Sequence, residues 1–232
     1  MEIAPGIHRI DGIKGVNCYL IANREHLLMI DTGLPGQEQT TLKYINRKGR
    51  KPTDIRYIIL THADIDHIGC ARRLRELTGA KVAIHRGDVP IITGGQGFKT
   101  INNCFSPLVK LVMKSMRFRP LEPDIILSDG DQIEGWHIVY TPGHTPGSIC
   151  VYQPGRNIFV GDALRTNSQQ VPRPISRRIC IDLALVRISL TAISNLEYFN
   201  VFPGHGAPII GQGASRIKDM LVRYANSPKL NG

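Results

Sequence analysis

A chain of 232 residues with 42% apolar and 21% charged residues can bury a full core without staples. Its five cysteines are odd in number, scattered and free of any CxxC pair, which argues against a disulfide framework and for a reducing, cytoplasmic setting. The formal charge of +10 favours anionic partners, but Lys and Arg are spread along the chain, so a dedicated nucleic-acid surface is not favoured.

The N-terminus lacks the basic and apolar regions of a secretory leader, and no apolar run reaches the ~18 residues of a transmembrane helix. Ile3 to Asp11 and Gly15 to Ala22 read as strands with Gly12–Gly15 as turn material. His26 to Ile30 is a further strand, ending at Asp31-Thr32-Gly33. Asp31 has two readings: a carboxylate that orients a site at a strand end, or a turn residue bonding its own backbone. Gln37 to Arg47 suits a helix closed by Gly49 to Pro52. The apolar run Ile55–Leu60 is a buried strand, and Ile68 to Thr78 carries a helical pattern stopped by Gly79. Lys81 to His85 is another strand. Strand, helix and strand in alternation mark an α/β protein.

Residues 90–123 break this pattern. Gly94-Gly95-Gln96-Gly97 is loop material, and without a following GK[ST] it is a poor phosphate loop. Phe105, Leu108, Val109, Val112, Met113 and Met116 recur at helical spacing, with Lys110, Lys114 and Arg117 on the other side. This cationic amphipathic helix, 105–118, has three readings: a packed helix or homodimer face, a lid over a pocket, or a membrane-surface contact. Ile125–Leu127 and Gln132-Ile133 flank Ser128–Asp131 as a hairpin, and Trp136 to Thr141 is a strand. Ile149–Gln153 and Asn157–Val160 form a second hairpin, and Arg165 to Arg178 is a loop rich in Pro, Arg and Gln. A helix from an Asp182 cap to Leu196, a strand at Phe199–Phe202 and a helix at Gly213–Ala225 complete the chain, with a loose tail. No linker or composition break appears. The order suggests a single domain, 1–232, of two β-sheets packed face to face with helices outside: an αββα four-layer sandwich with a helical insertion at 90–123.

Thr61-His62-Ala63-Asp64-Ile65-Asp66-His67 packs four metal-competent side chains into six residues at a strand-to-helix turn. Imidazole and carboxylate suit zinc, iron or manganese. Strands also end at Asp31, His144, Asp162 and His205, and Gly beside the last three lets the backbone bend sharply. His62–His67 with His144 in PGHTPGS, Asp162 in VGDAL and His205 in PGHG resembles the ordered motifs of the metallo-β-lactamase fold superfamily, over roughly Gly6 to Gly211.

That resemblance implies two metal ions, most simply zinc. His62, Asp64 and His144 hold one, Asp66, His67 and His205 the other, and Asp162 bridges them. A metal-bridging hydroxide then attacks a small ester, thioester or lactone, as in glyoxalase II or acyl-homoserine lactonases. Asp66 and Asp162 are the catalytic carboxylates, Asp66 as a proton shuttle. Asp64 departs from the family motif HxHxDH, which has His there. Two divalent ions supply +4, and Asp64, Asp66, Asp162 and hydroxide supply −4, so the site is neutral where His would leave +1. A more oxygen-rich site also accepts iron or manganese more readily. Arg165, Arg173, Arg177 and Arg178 are candidates to anchor an anionic substrate, with Arg165 and Arg173 foremost. Tyr19 and Tyr140 fit strand packing better than carbonyl polarisation, and His85 sits near the expected rim. His8, His26 and His137 lack a chemical role. The alternatives are a phosphodiesterase or ribonuclease of the same superfamily, and an iron-dependent redox protein.

Overall fold

The computed structural model describes residues 1–95 and 118–225. The helix expected at 105–118 lies outside them except for Phe118, as do most of the 90–123 insertion, Cys104 and the tail 226–232. The chain forms two compact units, residues 1–127 and 128–232.

The first unit holds a seven-stranded sheet in the order β1-β2-β3-β4-β5-β6-β7. Its strands are β1 (Glu2–Ala4), β2 (Ile7–Arg9), β3 (Tyr19–Ala22), β4 (Leu27–Ile30), β5 (Ile55–Ile59), β6 (Lys81–His85) and β7 (Ile125–Leu127). The first four form an antiparallel meander, and β4 to β7 run parallel. Parallel strands need crossovers; α1 (Glu38–Arg47) lies in the first, α2 (Ile65–Ile68) with α3 (Ala71–Thr78) in the second, and α4 (Val89–Ile92) in the third. Within the parallel part, β4 is an apolar run buried throughout, as a strand covered on both faces requires, whereas β7 at the edge leaves Ile126 exposed. Leu20, Met29, Ile58, Val82 and Ile84 pack with Tyr44 and Ile45 of α1 and Ala71 and Leu74 of α3.

Four sequence expectations change here. The strand expected over residues 3–11 is two strands paired about Pro5-Gly6, because Gly6 takes a left-handed turn at φ 70°. The helix expected from Ile68 to Thr78 breaks at Gly69. A Cβ there would sit 2.3 Å from Pro35 Cδ and 2.6 Å from the Gly33 carbonyl, so the chain presses against the Asp31 turn at this point. Ile125–Leu127 and Gln132-Ile133 do not pair with each other: β7 joins β6, while β8 (Gln132–Ile133) joins β9 (Trp136–Tyr140). Glu134 and Gly135, both at positive φ, supply the two-residue turn that this hairpin's twist demands. The expected loop 165–178 contains the fourth change, a small hairpin described below.

The second unit holds a five-stranded sheet, β14-β11-β10-β9-β8, made with β10 (Ile149–Gln153), β11 (Asn157–Gly161) and β14 (Asn200–Pro203). Only the β11–β14 pair is parallel, and α5 (Leu183–Ser194) makes its crossover. Asp182 caps α5 as expected, accepting from the Leu185 amide at 3.0 Å. Cys150, Ile158, Val160, Val186, Leu190, Val201 and Met220 form this unit's core, the last from α6 (Gly213–Ala225). Leu164–Thr166 (β12) and Pro172–Pro174 (β13) pair as a separate two-stranded ribbon. No helix among the described residues is long and apolar enough to cross a membrane.

Candidate metal centre

In the first unit, β4 and β5 end side by side, and the residues just past their ends build the site. Asp31 adopts φ 58°, a left-handed conformation that Asp tolerates better than most residues. Its buried carboxylate accepts the Thr61 amide at 2.8 Å, the Thr61 hydroxyl at 2.8 Å and His67 Nδ1 at 2.8 Å. Of its two sequence readings, Asp31 therefore fulfils the one that orients neighbouring side chains.

The bond directions fix both imidazole tautomers. A carboxylate only accepts, so His67 carries its proton on Nδ1 and turns the Nε2 lone pair the other way. The Thr61 hydroxyl spends its one proton on Asp31 and so accepts from His62 Nδ1, 3.0 Å away. His62 thus has the same tautomer as His67, set by the same carboxylate through one hydroxyl. The rings lie 3.9 Å apart between centroids, and both are buried. His62 Nε2 is 3.7 Å from Asp64 Oδ2, and His67 Nε2 is 3.9 Å from Asp66 Oδ2. The fully buried Asp88, which the sequence reading missed, accepts the Ala63 amide at 2.7 Å and fastens the loop between them. Its only sequence trace is a lone acid at a helix start. His85 closes its own turn, accepting the Gly87 amide at 3.2 Å.

In the second unit, His144, Asp162 and His205 come together from the ends of β9, β11 and β14. Asp162 is 2% exposed and divides its oxygens: Oδ2 lies 3.8 Å from His144 Nε2, and Oδ1 lies 3.4 Å from His205 Nε2. Glycines make these turns. Gly143 has φ 129°, and a Cβ on it would meet the Val186 amide of α5 at 2.5 Å. Gly206 has φ 96°, and a Cβ there would lie 1.9 Å from the Thr166 carbonyl oxygen. The β12–β13 ribbon is thereby seated on the His205 loop, with Thr166 N bonding the His205 carbonyl at 3.2 Å and Thr166 Oγ1 the Ala207 carbonyl at 2.6 Å.

Arg165 and Arg173 are directly opposed in that ribbon and so share one of its faces. Arg165 Nη2 donates to Asp162 Oδ2 at 2.8 Å, while Arg173 is exposed. Arg177 and Arg178 lie in an exposed turn. Tyr19 is buried in its strand, and burial pushes its phenol well above the ordinary range. The Tyr140 hydroxyl donates to the Pro146 carbonyl. His8 meets Tyr44, His26 meets Asn23, and His137 lies against Tyr152.

The donor set suits metal ions. Bonds of about 2.0–2.2 Å hold two ligands of one tetrahedral ion roughly 3.4 Å apart. The nitrogen-to-oxygen gaps within each unit, 3.4–3.9 Å, are of that size. Imidazoles held at Nδ1 by a carboxylate or hydroxyl are the usual support for metal-binding Nε2.

Residues 11–212 match the model of the metallo-beta-lactamase superfamily, so the chain belongs to that superfamily. It is 26% identical over 252 residues to the probable metallo-hydrolase YflN of Bacillus subtilis, covering 97% of this chain and 92% of that one. The human acyl-coenzyme A thioesterase MBLAC2 is 26% identical over 179 residues, 69% of this chain and 62% of its own. Among solved structures, TTHA1623 in a di-iron-bound form superposes with a TM-score of 0.67 at 24% identity, over 93% of this chain and 96% of that one. The fold is accordingly the mixed α/β fold of that superfamily.

Proposed function

We propose that the two units act as one metallo-β-lactamase-like domain and that their half-sites share two divalent ions. His62, Asp64 and His144 hold the first, Asp66, His67 and His205 the second, and Asp162 lies between. The observation that carries this reading is the division of Asp162, one oxygen toward His144 and the other toward His205. Zinc is the simplest occupant. Asp64 gives each ion two imidazoles and one carboxylate besides Asp162, a set that also accepts iron or manganese.

The activity we propose is hydrolysis of a small ester, thioester or lactone. Ions bound here supply an acidified water and an electrophile for the bond under attack. Asp31 and Thr61 keep the imidazoles of His67 and His62 in the metal-binding tautomer. Asp66, whose carboxyl reaches solvent more than that of Asp162, passes the proton from the attacking water to the leaving group. Arg173, exposed on the ribbon, anchors an anionic end of the substrate, and Arg165 stands beside it on Asp162. The thioesterase among the relatives favours an acyl substrate over a phosphodiester.

The test is a hydrolysis panel of lactones, thioesters, a phosphodiester and a β-lactam on metal-loaded protein. Acyl cleavage that disappears in Asp162→Ala supports the proposal. Cleavage of the phosphodiester alone would replace it with the nuclease reading, and activity that survives Asp162→Ala would contradict the shared-carboxylate mechanism.

A further inference from the structure

With Asp64 in place of histidine, the two proposed ion positions receive the same donors: two imidazoles, one carboxylate of their own and an oxygen of Asp162. Nothing in the ligand list then ranks one above the other. The surroundings of Asp162 do. Arg165 donates to Oδ2, the oxygen on the His144 side, at 2.8 Å. Oδ1 is the oxygen on the His205 side, 3.4 Å from His205 Nε2.

A guanidinium stays charged at every accessible pH. Bonded to Oδ2, it draws on that oxygen's negative charge and repels a second cation at the same oxygen. Asp162 is 2% exposed and the Arg165 side chain 41%, so solvent screens the pair only in part, from the guanidinium side. The position of Arg165 is built in. Its ribbon is bonded through Thr166 to the His205 and Ala207 carbonyls, and it sits over Gly206 with no room for a side chain between. Arg173 stands opposite in the ribbon and adds positive charge on the same face.

We propose that Arg165 is a positioning residue that makes the two ion positions unequal. It weakens the position served by His144 and leaves the one served by His205 to fill first. This rests on the dinuclear reading above.

The experiment is the binding isotherm of zinc to metal-free protein, read against a chromophoric chelator, for wild type and for Arg165→Gln and Arg165→Lys. Wild type should bind two ions in two steps. Arg165→Gln keeps a donor to Asp162 without the charge, and should tighten the weaker step about tenfold with little change in the stronger, in the range outer partners of metal ligands command. Arg165→Lys should restore the wild-type spacing. His205→Ala should remove the tighter step and His144→Ala the weaker. Unchanged spacing in Arg165→Gln, equal weakening of both steps, or the opposite pairing of histidines with steps would overturn the inference. Fewer than two ions bound by wild type would instead strike at the dinuclear reading itself.

Discussion

Asp31→Asn is the most informative single change to the first unit. Asparagine tolerates the φ of 58° at this position, so the backbone stays as it is. One carboxylate oxygen becomes an NH2. The Oδ1 side faces the Thr61 amide, a fixed donor at 2.8 Å, so the side-chain oxygen stays there. The NH2 then faces His67 Nδ1, which receives a carboxylate at 2.8 Å in wild type. Two donors cannot share that contact, and His67 relieves the clash by moving its proton to Nε2. That nitrogen can then no longer bind a metal ion. Loss of an outer carboxylate partner lowers metal affinity about 10- to 100-fold, or about 1.4–2.7 kcal/mol. The metal-free protein loses in addition about 1–3 kcal/mol from a buried charge-assisted hydrogen bond. Chelator competition reads the first effect, thermal unfolding of metal-free protein the second, and nitrogen-15 spectra of the imidazoles report the tautomer. Affinity within threefold of wild type and a His67 ring still protonated on Nδ1 would refute the reasoning.

Two further outcomes are specific. Gly206→Ala places a methyl 1.9 Å from the Thr166 carbonyl and requires alanine at φ 96°, so the ribbon must lift from the His205 loop; calorimetry should show a loss of at least about 2 kcal/mol, and an unchanged melting temperature would contradict this packing. Burial raises the Cys70 and Cys150 thiols to about 12 and the Cys18 thiol well above its ordinary value. In a Cys104→Ser background, native protein at pH 8 should therefore expose one reactive thiol, the half-buried Cys180. Because these folded-state values lie above the unfolded one, their contribution to stability is complete below pH ~9 and fades as the pH climbs toward 12; rapid labelling of three or more thiols at pH 8 would contradict the burial.

Much of this was legible in the sequence where side-chain chemistry and backbone need coincide. His62 to His67 follow an apolar run that could only be a buried strand, and His144, Asp162 and His205 each adjoin a glycine. Asp31 was visible as a strand-end acid, but its partners Thr61 and His67 are 30 and 36 positions away, and only the pairing of β4 with β5 joins them. Asp88 had no pattern to betray it, because the bond by which it holds the site is to a backbone amide, that of Ala63. The break at Gly69 and the ribbon at 164–174 escaped because long-range contacts decide them: a close approach to Pro35 in one case and the seat on Gly206 in the other. Helical periodicity runs through the first unaltered, and two prolines disguise the second.

The central claim is that two ions share Asp162 between histidines of both units. Its most direct test is metal analysis of protein purified without added metal and then equilibrated with one divalent ion at a time, beside Asp162→Asn. Two ions per wild-type chain and no more than one in the variant is the expected result. Two tightly held ions in Asp162→Asn, or a single ion in wild type at saturation, would contradict it.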